Sequence, residues 1–238
     1  MKKQRDNYTF LTHAPVHRVI VSMAVPTIIS MLVTSIYGMV DTYYVGQINT
    51  QSTAAVGISF SIMTIIQAIG FFFGHGSGNY ISRMLGAKRT DEAKYMAATG
   101  LVGSVTFGLA VAVVGLAFLS DICIFLGSTE TILPYTERYL GIILVGAPFM
   151  TGAFTLNNQM RFQGNAKYAM YGILSGVVLN VVLAPIPIFY FCLGITGAAV
   201  ATLVSQTMSF FILFNMTRHR GNIAIELRNC RLSGAFAK

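Results

Sequence analysis

Apolar residues dominate six long stretches of the chain, and polar residues gather in the intervals between them. The stretches cover about residues 19–46, 53–79, 95–119, 132–158, 168–190 and 195–216. Each is long enough to cross a bilayer as a helix, which takes about 20 residues. None shows the period-2 alternation of a barrel strand. In hydrocarbon every backbone polar group must be satisfied within its own segment, which leaves helices. The pattern predicts an all-α, polytopic membrane protein with a six-transmembrane-helix bundle over 19–216. A cytoplasmic N-terminal segment (1–18) precedes it, and a cytoplasmic connector or tail (217–238) follows. Lys2, Lys3 and Arg5 ahead of an apolar run resemble a signal peptide, but the run far exceeds an h-region of roughly 7–15 residues. It is read as an uncleaved first helix. No repeat of about 20–50 residues is visible.

Composition sharpens this picture. Apolar residues make up 54% of the 238 and charged ones 10%, with a mean hydropathy of +0.65. A soluble domain carries about 25% charged residues, so this chain does not cover itself with a water-facing surface. The net charge of +8 suggests nucleic acid until its distribution is read. Basic residues cluster at Lys2–Arg18, Arg83–Lys94, Arg161–Lys167 and Arg218–Lys238, all on one side of a six-span chain, and only Arg138 falls on the other. The positive-inside rule puts both termini in the cytoplasm, and no basic stripe for nucleic acid remains. Cys123, Cys192 and Cys230 have no CxxC spacing and read as small apolar packers. There is no P-loop, zinc-ligand spacing or nucleophile elbow, so neither ATP-driven pumping nor an intramembrane enzyme is expected of this chain.

Within the spans, small residues recur at helical spacing: Gly74 and Gly78, Gly108 and Ala112, then Gly197, Ala201 and Ser205. Close backbone approach at such positions holds membrane helices together. Pro26 and Pro148 lie inside spans, where proline bends a helix; Pro26 is the better hinge candidate because it shares a helix with Asp41. Asp41 is the one carboxylate inside an uninterrupted apolar span. Counted back from Gly46–Ile48, it lies roughly 8–10 Å inside the outer boundary. A charged carboxylate at bilayer depth costs about 2.5–3.5 kcal/mol, so it is paired, solvated in a cavity or protonated, unless it reaches interfacial water. Thr202 (roughly 10 Å deep) and Asn180 (roughly 15 Å) approach the same level. Singly they read as interhelical glue. With Asp41 they form a set of hard oxygen donors for a small cation or a proton-bearing network. His75 has no partner at matched depth, and Asn157 and Asn158 read first as a polar helix end. Tyr37 and Tyr139 in the outer half read either as interface anchors or as walls of a cavity for flat cations.

Four stretches together resemble one family. They are VPTIISMLVTSIYGMVDTYYVG (25–46), ISRMLGAKRTDEA (81–93), NNQMRFQGNAKYAM (157–170), and NVVLAPIPIF (180–189) followed by GITGAAVATLVSQ (194–206). In order and spacing they are similar to the multidrug and toxic compound extrusion (MATE) transporters. The resemblance implies one lobe of a two-lobe antiporter that exports organic cations or other amphiphiles in exchange for H⁺ or Na⁺, with no cofactor. By position it implies a cation site at Asp41, Asn180 and Thr202 and a substrate cavity at Tyr37, Tyr139 and Asn157. It also implies a bacterial inner-membrane location. One residue departs from the pattern. Members with a full site carry an aspartate four residues after the asparagine, and here that position is Ala184. The departure weakens Na⁺ coupling and leaves Asp41 as the sole proton acceptor. The lobe is expected to need either a missing second six-helix half or a second copy of itself. Two other readings were weighed. A lipid-linked oligosaccharide flippase of the same broad fold wants several cations in its cleft, and Arg138 is the only candidate. The other is a non-transporting membrane fragment or scaffold.

Overall fold

The computed structural model describes residues 13–220 and Ile223. Among them, six helices are long and apolar enough to cross a membrane. They are α1 (Val16–Gly46), α2 (Thr50–Gly86), α3 (Thr90–Ala117), α5 (Leu133–Phe162), α6 (Ala166–Leu183) and α7 (Ile195–Arg220). A short helix, α4 (Leu119–Phe125), lies between α3 and α5, and a π-helical turn (Ile186–Tyr190) prolongs α6. The all-α, six-span architecture expected from the hydrophobic pattern is the one observed.

The helices outrun their apolar stretches mainly at the basic end. The loop expected over 83–94 contracts to Ala87–Arg89, because α2 runs on to Gly86 and α3 already begins at Thr90. Most of the residues gained (Arg83, Met84, Leu85, Glu92, Ala93 and Lys94) are strong helix formers. Arg83 sits in the last turn of α2, and Asp91 and Glu92 sit in the first turn of α3, each complementing its helix dipole. Two ion pairs, Arg89–Glu92 and Lys94–Asp91, decorate this turn. At the opposite end, Asn49 caps α2 by accepting a 2.7 Å bond from the Ser52 N–H. The link around 121–131 contains α4, which hydropathy did not reveal. Its Cys123 is buried against Leu140 and Leu144, the apolar packing role expected of it. Helix α7 continues to Arg220, four residues past the expected end of its span. Lys2, Lys3, Arg5, Arg228, Cys230, Arg231 and Lys238 fall outside the described residues.

Helix α5 is central and packs against α2, α3, α6 and α7. Its close approach to α2 depends on Gly70, Gly74 and Gly78, which face Phe154, Asn158 and Phe162; a methyl group on Gly74 would sit 2.9 Å from the Asn158 Cβ. On α3, Gly108 does the same against Pro148. Hydrogen bonds cross these seams. Thr155 donates to the Gly70 carbonyl (3.1 Å), Thr151 to the Ser104 carbonyl (3.0 Å), and Gln159 to both Ser77 Oγ (2.9 Å) and the Ala97 carbonyl (3.1 Å). Small residues and polar contacts thus supply the helix association that the hydrophobic effect does not supply in lipid. Helix α1 is peripheral. It leans mainly on α6 and leaves Ile20, Val21, Met31, Leu32 and Ile36 exposed, a surface suited to hydrocarbon.

Candidate functional site

Four helices bring together, around one acidic residue, the halves that lie away from the basic end. Tyr37 and Asp41 are four residues apart on α1 and therefore share a face. Because α1 rests on α6 and touches α7, that face turns towards them, and Tyr37 shares the wall of one cavity with Asn180. Asn180 Nδ2 donates to Thr202 Oγ1 at 3.2 Å, with both residues buried. Tyr139, from α5, is buried behind them in a core that also holds Val45, Ala184, Ala198 and Ala201. The phenol groups of Tyr37 and Tyr139 converge on the Thr202 hydroxyl, and both lie within electrostatic reach of Asp41.

Asp41 itself is half-buried, and its Oδ1 is fully buried with no hydrogen-bond partner. Both ion pairs among the described residues lie at the basic end of the bundle, so neither neutralises it. A buried, unpartnered carboxylate oxygen is costly and calls for a proton or a cation. The surrounding groups are neutral oxygens and an amide. The cluster is therefore chemically equipped to hold one monovalent positive charge.

A cavity of about 70 Å³ lies on the side of this cluster nearer the basic end, between α1, α5, α6 and α7. Tyr37, Asn157 and Asn180 line it, whereas Tyr139 does not, being sealed in the core. Asn157 is held by a 2.8 Å bond from its Nδ2 to the Ala169 carbonyl. Thr34, Ser205, Gln206 and Ser209 also line the cavity and were not singled out for it from sequence. Their spacing carried the signal: Thr34, Tyr37 and Asp41 on α1, and Thr202, Ser205 and Ser209 on α7, recur every three or four residues on one helical face. Pro26 is buried on α1, and its carbonyl accepts a 2.7 Å bond from Ser30 Oγ. It lies more than two turns inward of Thr34, away from the charged cluster. Ala184 is fully buried one turn beyond Asn180, whose carbonyl accepts its N–H at 2.7 Å.

Comparison with known proteins agrees with this architecture. The MatE family model matches residues 26–186. Over 165 residues the chain is 36% identical to the multidrug export protein MepA of Staphylococcus aureus (strain MRSA252), covering 68% of this chain and 37% of that protein. Over 185 residues it is 32% identical to MepA of Staphylococcus haemolyticus (strain JCSC1435), covering 77% and 41% respectively. A crystal structure of MATE in the bent conformation superposes with a TM-score of 0.88 at 26% identity, covering 100% of this chain and 52% of the other. The chain thus spans about half the length of that transporter, and its six helices correspond to one lobe. It belongs to the MATE family of membrane transporters.

Proposed function

We propose that this chain is one lobe of a proton-coupled antiporter that exports amphiphilic organic cations, with Asp41 as the group that takes and releases the proton. The observation that carries the reading is the buried, unpartnered Oδ1 of Asp41 among Asn180, Thr202, Tyr37 and Tyr139. One carboxylate without a basic partner balances one positive charge, so proton and cationic substrate compete for the same compensation. The cavity bounded by Tyr37 and Asn157 is the part of the substrate path contributed by this lobe. In the conformation described it is far smaller than the roughly 300–1,000 Å³ of a drug site, so substrate entry requires α1 to move, and Pro26 is the hinge for that movement. The lobe works against a second six-helix bundle. In support, α2 leaves Ser61, Thr64, His75 and Asn79 exposed, a polar set ill suited to lipid but fit for a cleft between two lobes. The basic end faces the cytoplasm, with both termini on that side.

Proteoliposomes containing the intact transporter test the coupling. An inwardly directed proton gradient is expected to drive ethidium export in Na⁺-free buffer, since each pH unit supplies about 1.4 kcal/mol per proton. Export driven by a Na⁺ gradient alone, and not by protons, would overturn the proton assignment.

Ala184 supplies a second check. An Ala184→Asp variant places another carboxylate one turn from Asn180 in a fully buried position. Two carboxylates sharing one site do not both ionise without a cation between them. The variant is expected to melt lower than the parent in Na⁺-free buffer and to recover several degrees on adding Na⁺. Ligand at 100 times its Kd stabilises by about 2.7 kcal/mol, and each kcal/mol moves Tm by about 2–4 °C at this size. A melting temperature indifferent to Na⁺ would show that the pocket cannot be completed this way.

A further inference from the structure

The small cavity has a feature that the reading of Asp41 and the cleft leaves unexplained. Hydroxyls within these spans are mostly satisfied by protein carbonyls: Ser30 by Pro26, Thr34 by Ser30, Ser59 by Ala55, Ser209 by Gly172. Ser205 is different. It lines the cavity, is only 2% exposed, and its Oγ makes no hydrogen bond to protein. It lies one turn inward of Thr202, so the polar groups run continuously from the Asn180–Thr202 pair through Ser205 towards Asn157 and Ser209. The cavity of about 70 Å³ far exceeds the roughly 10–15 Å³ that admits one water, and although its walls are largely apolar, Ser205, Gln206, Asn157 and Asn180 on them offer the two to four partners a water needs.

We propose that this cavity is a hydrated vestibule through which the coupling ion passes between the Asp41 cluster and the basic end of the bundle, with the Ser205 hydroxyl as its relay. The inference rests on the reading of Asp41 as the coupling group. It adds that the ion leaves through the interior of one lobe, without using the cleft between two. Ser205 both donates and accepts, so it hands a proton, or a coordinating oxygen, from water to water. Its hydroxyl bonds no protein group, so replacing it with hydrogen interrupts the route without breaking a bond that holds the fold.

Two measurements on the intact transporter in proteoliposomes test this. Ser205→Ala is expected to slow ethidium turnover about five-fold, the effect of one lost hydrogen bond. The melting temperature should stay unchanged, and Ser205→Thr, which keeps the hydroxyl, should restore the rate. Separately, with Cys123, Cys192 and Cys230 replaced by serine, Ser205→Cys is expected to be blocked by Ag⁺, a thiol-reactive monovalent cation, applied from the basic side. Wild-type turnover by Ser205→Ala, or a Ser205→Cys thiol that Ag⁺ does not reach from that side, overturns the vestibule. The Ag⁺ result is independent of coupling chemistry. An active Asp41→Asn variant together with a reactive Ser205→Cys would therefore refute the role of Asp41 and leave the vestibule standing.

Discussion

Asp41→Asn in the intact transporter is expected to abolish proton-driven efflux of ethidium, lowering the initial rate at least ten-fold, to about the level of empty vesicles. Asparagine has the shape of aspartate and keeps an oxygen where Oδ1 sits, so the Asn180–Thr202 bond and the tyrosines around it have no steric cause to move. What disappears is the ability to exchange a proton for a cation. The substitution should therefore separate coupling from folding. Charge at bilayer depth costs about 2.5–3.5 kcal/mol, so the neutral variant should melt no lower than the parent. Asp41→Glu keeps the charge but lengthens the side chain by a methylene, pushing the carboxylate towards the phenols of Tyr37 and Tyr139, and should retain partial activity. Vesicle efflux assays on all three proteins, with melting curves in the same detergent, decide the matter. Undiminished export by the asparagine variant would remove Asp41 from the mechanism.

The bundle was legible because the bilayer imposes one rule on every segment: a long apolar run must be a helix. That rule located all six spans, and the small-residue spacings located real contacts at Gly74, Gly78, Gly108 and Gly197. It failed where the rule does not apply. Hydropathy ends when charged residues begin, but helix propensity does not, so α2 and α3 ran through most of an expected loop. Helix α4 is too short and too mixed in polarity to register as a span. The charged cluster was partly legible for a related reason. A lone carboxylate in an apolar run is conspicuous, and depth counting put Asn180 and Thr202 near it. Depth says nothing about rotation about the helix axis. That Thr202 bonds Asn180, that Tyr139 is sealed in the core away from the cavity, and that Ser205 has no protein partner all depend on which way each helix turns. The polar stripes on α1 and α7 held that information: Tyr37, Asp41 and Thr202 stand out by type and depth, whereas Ser205, on the same face as Thr202, was read only as a packing residue.

Gly197→Ala, a single added methyl, is expected to damage the same cluster from outside. Gly197 lies in the first turn of α7 against the π-helical turn that follows α6. A Cβ there would stand 2.7 Å from both the carbonyl carbon and the oxygen of Pro187, and 2.9 Å from the Ile188 nitrogen. These atoms form the peptide bond that follows Pro187, and backbone cannot rotate aside as a side chain does. Overpacking of this kind costs about 1–3 kcal/mol, equivalent to a drop of roughly 2–12 °C in Tm for a domain of this size. The position of the strain matters more than its size. Thr202 is five residues along the same helix, and Asn180 precedes the π-helical turn, so a shift that opens α7 from Pro187 also lengthens the 3.2 Å Asn180–Thr202 bond. Gly197→Ala should therefore lose transport as well as stability. A substitution of equal bulk at exposed Gly57, where nothing lies within 4 Å of an added Cβ, should lose neither. Parallel melting and efflux measurements on Gly197→Ala and Gly57→Ala test the claim, and equal behaviour of the two would show that the contact with Pro187 does not set the geometry of the cluster.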